Sequence, residues 1–150
     1  MKQNIRSTLG VTLLEIMLVL AIAAMIIVMS IRYYQSATSS QQANTILQQI
    51  QGVTAAMDNL AVGSGTYANI TQAQLVAAVG GAANVTTPLG TTINMSAPSA
   101  TGYTITVPLN ATVCPMVATK VAANLKMAIS GGATAAATCT TLTYTYNAAT

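Results

Sequence analysis

The chain has 150 residues, room for one domain beside an apolar N-terminal segment, and only 5% of them are charged. At 53% hydrophobic content it is not a disordered chain, and its net charge of +3 comes from scattered Lys and Arg, so direct nucleic-acid binding is not expected. With no histidine, two cysteines and two distant carboxylates, Glu15 and Asp58, neither a metal cluster nor a cofactor is expected.

Lys2 and Arg6 precede an uninterrupted apolar run from Val11 to Ile31, closed by Arg32. As a helix, these roughly 21 residues span about 31 Å, enough for a bilayer core. The basic residues ahead of the run place the N-terminus in the cytoplasm and the rest outside. A cleaved secretory signal has a shorter apolar core followed by a small-residue cleavage site. Here the run is too long, and the small residue, Gly10, precedes it. A cut there leaves the apolar segment on the product. Glu15 is the only charge between Val11 and Ile31. An ionisable group in such a segment suggests a functional site. The alternative is a headgroup-level position, where a helix N-terminus favours negative charge by some tenths of a kcal/mol.

The stretch Gly10-Val11-Thr12-Leu13-Leu14-Glu15, coupled to a basic leader and an unbroken apolar helix, resembles the processing signal of type IV prepilins. The resemblance implies that a prepilin peptidase in the membrane cuts after Gly10, releasing a leader of residues 1–10, and methylates Val11. It further implies that residues 11–31 serve first as a transmembrane helix and later in a filament core. There the Glu15 carboxylate would be neutralised by the Val11 amine of a neighbouring copy, which fixes the axial register. Thr12 is a weaker assembly candidate, lining that core. Pseudopilins share the signal. The leader is shorter than is usual for type IVb pilins, and the membrane helix lacks the Gly and Pro breakers of type IVa.

The helix continues over residues 32–60. Ala43, Ile46, Ile50, Val53, Met57 and Leu60 recur at spacings of three and four, flanked by Gln41, Gln42, Gln48, Gln49 and Gln51 on the wetter faces. Two heptads are short for a coiled coil, so the stripe predicts packing against a sheet. Gly63-Ser64-Gly65 ends it.

The head occupies residues 61–150. Thr71-Gln72-Ala73-Gln74 is a capping-box sequence that opens a short helix running to about Val79. A strand is predicted over Thr91–Met95. Tyr103, Ile105 and Val107 alternate with threonines in a second strand that Pro108 ends, and Leu142, Tyr144 and Tyr146 do so in a third. Between them, Val113, Met116, Val117, Val121, Leu125 and Ile129 predict a helix with Thr112 as cap, Pro115 in its first turn and Gly131-Gly132 after it. In an oxidising compartment Cys114 and Cys139 would pair, closing a loop of about 25 residues and adding roughly 3 kcal/mol. Two reduced buried thiols are the alternative. Asn69, Asn84, Asn94 and Asn110 begin N-x-S/T triplets, which chance explains in so Thr-rich a chain.

The 114–139 segment, with a helix inside and a strand after it, resembles the C-terminal disulfide region of type IV pilins, most closely the IVb subgroup. The whole-chain resemblance implies an α+β fold, a long N-terminal helix packed on a small antiparallel sheet. It implies a major pilin that moves from the bacterial inner membrane, head in the periplasm, to a surface pilus. The partners it implies are further copies of the chain, the prepilin peptidase, the pilus assembly machinery and the inner membrane. A minor pilin or secretion pseudopilin is the alternative within the superfamily. Major pseudopilins carry a calcium site in the C-terminal loop, yet no acidic residue follows Asp58. A membrane-anchored binding protein is the alternative from another class. Catalysis has no support, because Glu15 and Asp58 stand about 65 Å apart if one helix joins them.

Overall fold

A computed structural model describes residues 12–123, 127–129 and 139–147. The chain divides into two compact units, Met1–Ala37 and Thr38–Thr150. Helix α1 (Leu13–Ser64), 52 residues long, contributes to both. It contains no proline, and its first glycine is Gly52.

In the second unit α1 buries Ala43, Ile46, Ile50, Val53, Ala56 and Met57, the stripe its spacing predicts, with Leu60 half-buried against the same core. Gln49 departs from the expected wet face. Its Nε2 donates to the Thr86 carbonyl at 2.8 Å, and its Oε1 is buried without a partner. The helix ends where Gly65 takes a left-handed φ of 75° and donates its N–H to the Ala61 carbonyl at 2.7 Å.

Helix α2 (Gln72–Ala78) opens with both halves of the capping box, Thr71 accepting from Gln74 N–H and the Gln74 side chain accepting from Thr71 N–H. After the glycine pair comes a 3-10 turn, Ala82–Val85, which the sequence reading did not contain. Strands β1 (Asn94–Ser96), β2 (Gly102–Pro108), β3 (Met127–Ile129) and β4 (Thr141–Asn147) form one antiparallel sheet in the order β1-β2-β4-β3. Tyr103 faces Tyr146, Ile105 faces Tyr144 and Val107 faces Leu142, all on the buried side. Thr104, Thr106, Thr143 and Thr145 form the half-buried reverse side. Gly102 is required by close approach, since a Cβ there would run into the Tyr146 carbonyl.

Two predicted elements differ from the structure. The strand expected over Thr91–Met95 spans Asn94–Ser96 instead. Thr91 is held back in a turn: its hydroxyl bonds that of Thr87 and donates to the Pro108 carbonyl, each at 2.7 Å. The helix expected to reach Ile129 stops early, because α3 covers Cys114–Ala122 and Met127–Ile129 is a strand on the free edge of β4. Ladder pairing there overrides a helical pattern carried by few residues. Pro115 sits in the first turn as expected, but the cap is not Thr112. Asn110 Oδ1 instead accepts from Val113 N–H at 2.8 Å. Leu125 and the Gly131-Gly132 stop lie outside the described residues.

The disulfide joins Cys114, at the start of α3, to Cys139, two residues before β4, with Cα atoms 5.7 Å apart. Both cysteines are buried in the core that unites α1, α3 and the sheet.

Candidate functional site

The surface of α1 in the first unit is unlike the rest of the molecule. From Leu13 to Tyr34 its large apolar side chains are exposed all around, from 50% at Ile16 to 79% at Tyr33. Among the described residues, Val62 is the only exposed large hydrophobic outside this stretch. Soluble proteins rarely leave so large an apolar surface in water, so this one requires a cover of lipid or protein. Among the described residues one helix is long and apolar enough to cross a membrane, and it is this one. Ser30 adds no unmet polar group, since its hydroxyl donates to the Ile26 carbonyl at 2.8 Å.

Thr12 stands at the head of the helix, where its Oγ1 accepts from Glu15 N–H at 3.3 Å. Thr12 is thus an N-cap and Glu15 the third residue of the first turn. The Thr-x-x-Glu spacing is the signal that could have shown this, and the sequence reading applied it only at Thr71. Glu15 is exposed, and its carboxylate has no hydrogen bond or ion pair among the described residues. Gly10 and Val11, the predicted processing positions, lie outside the described residues.

The other carboxylate has a different setting. Asp58 Oδ1 accepts from the Tyr67 hydroxyl at 2.7 Å, and Oδ2 from that of Tyr146 at 3.3 Å. Tyr103 stacks on Tyr146 with ring centroids 5.0 Å apart and lies 5.3 Å from Tyr67. Burial, followed by the Asp58 carboxylate, pushes the Tyr67 and Tyr146 phenols above their ordinary range. Burial does the same to Tyr103 and Tyr144. Thr54 lies near both and eases their ionisation slightly, but its hydroxyl donates to the Ile50 carbonyl, leaving both phenolic oxygens buried without a hydrogen bond. Asp58 therefore ties β4 and the α1–α2 loop to α1, a structural role that no sequence spacing reveals.

A groove of about 450 Å³ lies between α1 and the α2 region, lined by Gln48, Gln49, Gly52, Asn59, Val79 and Asn84 among others. Its lining offers amide and hydroxyl groups for hydrogen bonding and no titratable side chain. Lys120, exposed on α3, donates to Asn44 Oδ1. Among the described residues no three His, Cys, Asp or Glu side chains converge on a metal position.

No family model, curated protein or solved structure matches the chain. The chemistry of the exposed helix is therefore the best guide to what the molecule does.

The edge of β1 is closed by a side chain. Gln72 accepts from Met95 N–H at 2.9 Å and donates to the Ile93 carbonyl at 3.0 Å, while Ile93 N–H goes to Val85. The Gln72 amide takes the place of a neighbouring strand on that edge. Sequence reading placed Gln72 only within the capping motif.

Proposed function

We propose that the chain is the structural subunit of a type IV pilus, a major pilin of the IVb kind. The observation that carries the reading is the α1 surface from Leu13 to Tyr34, apolar on every side and bearing one carboxylate at its N-terminal end. Such a surface suits two successive environments, a bilayer and a bundle of identical helices. The disulfide-closed α+β head supports the reading, because a periplasmic and then extracellular domain sits in an oxidising setting. The proposed role is architectural rather than catalytic. The precursor lies in the bacterial inner membrane with its head in the periplasm. A prepilin peptidase cuts after Gly10 and methylates Val11, and the assembly machinery then adds the subunit to a surface filament.

Glu15 is the assembly residue in this account. In lipid it lies near the headgroups at a helix N-terminus, where negative charge is tolerated. In a dry bundle an unpaired carboxylate is costly, and the Val11 amine of another copy neutralises it. The test is Glu15→Ala. The variant is expected to be processed and to accumulate in the membrane, while filament yield falls about tenfold or more. Wild-type filament yield from that variant refutes the role. Gly10→Val is expected to leave a precursor heavier by the leader, read by mass spectrometry of the membrane fraction.

A further inference from the structure

We propose that Arg32 is a second assembly contact, pairing with the Glu15 carboxylate of another copy of the chain displaced by 17 residues along the helix axis. The inference rests on the filament reading and adds a specific neighbour to it.

The scarcity of charge carries the argument. Each chain has two carboxylate side chains, Glu15 and Asp58. Both oxygens of Asp58 already accept phenols, from Tyr67 and Tyr146. Arg32 is exposed, with no ion pair among the described residues, and Glu15 is in the same position. Within a homopolymer, the acidic side chain that lacks a partner in its own chain among the described residues, and so stands open to Arg32 of another copy, is Glu15.

Geometry excludes the pair within one chain. The two residues lie 17 positions apart on α1, about 25 Å at 1.5 Å per residue. Lys2 and Arg6 orient every copy the same way in the membrane, so the helices meet in parallel. Parallel helices in register would set Glu15 against Glu15 and Arg32 against Arg32, a repulsive arrangement. A shift of 17 residues turns both repulsions into one attraction, in a bundle where little water screens it.

Seventeen residues also rotate the helix face by about 100°, from 3.6 residues per turn. Each copy thus offers its carboxylate in one direction and its guanidinium in another. That contact is heterologous, the kind that propagates into an open helical filament rather than closing as a dimer. The Val11 amine demands a shift of only four residues, about 6 Å, and so belongs to a different neighbour. Glu15 can accept from both, since a carboxylate has two oxygens and about four lone-pair sites.

The test combines helical reconstruction of sheared wild-type filaments with two variants. The map is expected to join the Arg32 guanidinium to the Glu15 carboxylate of a copy 17 residues further along. Arg32→Ala is expected to cut filament yield by about tenfold with membrane level and processing unchanged, whereas Arg32→Lys stays within about threefold of wild type. Arg32 in solvent in the map, or wild-type yield from Arg32→Ala, overturns the pair. If Glu15→Ala blocks assembly while Arg32→Ala does not, the filament reading stands and this contact falls. If the wild-type chain makes no filaments, both fall. Should Arg32→Ala fail to accumulate in the membrane, the wild-type map alone decides.

Discussion

The first and second stretches of α1 share one backbone and differ in everything that surrounds it. From Leu13 to Ala37 the apolar residues face every direction and none is buried. From Thr38 a single stripe, Ala43, Ile46, Ile50, Val53 and Met57, is buried while Gln41, Gln48 and Gln51 face solvent. The contrast shows that hydrophobic content alone does not make a core. Periodicity does, because a helix can bury only one face against a sheet. An apolar surface without a period has to find its cover outside the molecule.

Truncating core side chains is the strongest way to test this contrast. Ile50→Ala is expected to destabilise the head by about 2–5 kcal/mol, whereas Leu20→Ala shifts it by less than about 0.5. Thermal unfolding of the full-length chain in detergent, followed by circular dichroism, measures both. Equal effects would erase the distinction between the two stretches. Reducing the Cys114–Cys139 bond is expected to cost the head about 3 kcal/mol in the chain-entropy model and to leave the N-terminal helix intact. Denaturant titration with and without reductant reads the loss, and an unchanged midpoint contradicts it.

The smallest effect is with pH. Tyr67, Tyr103, Tyr144 and Tyr146 all ionise above their ordinary range in the folded head, chiefly because they are buried. Their unfolded pKa is about 10. The neutral phenols favour the fold fully below that value, and the contribution is lost as pH rises above it, because the unfolded chain releases protons that the folded one keeps. The head is expected to hold its melting temperature up to about pH 9 and lose it steadily above pH 10. Tyrosinate absorbance measured alongside should show these four phenols titrating only as the head unfolds.

Much of this was legible in the sequence for local reasons. The α1 stripe, the Thr71–Gln74 capping box, the alternation in β2 and β4 and the pairing of the only two cysteines each depend on near neighbours or on simple counting. What escaped depends on distant partners. Met127–Ile129 is a strand because β4 offers a free edge, and the Asp58–Tyr67–Tyr146 tie joins residues up to 88 positions apart. Gln72 guards the β1 edge for a similar reason, 23 positions from Met95. The Thr12 cap is the exception, a local signal present in the sequence and missed.

In the proposed filament, further copies of the chain cover the apolar stretch of α1. Mechanical shearing of cells that express it, followed by sedimentation and electron microscopy, tests this most directly. The expected result is release of the chain in long filaments of high mass, with the leader absent. Retention of the chain in the inner membrane after shearing, with no filaments, contradicts it.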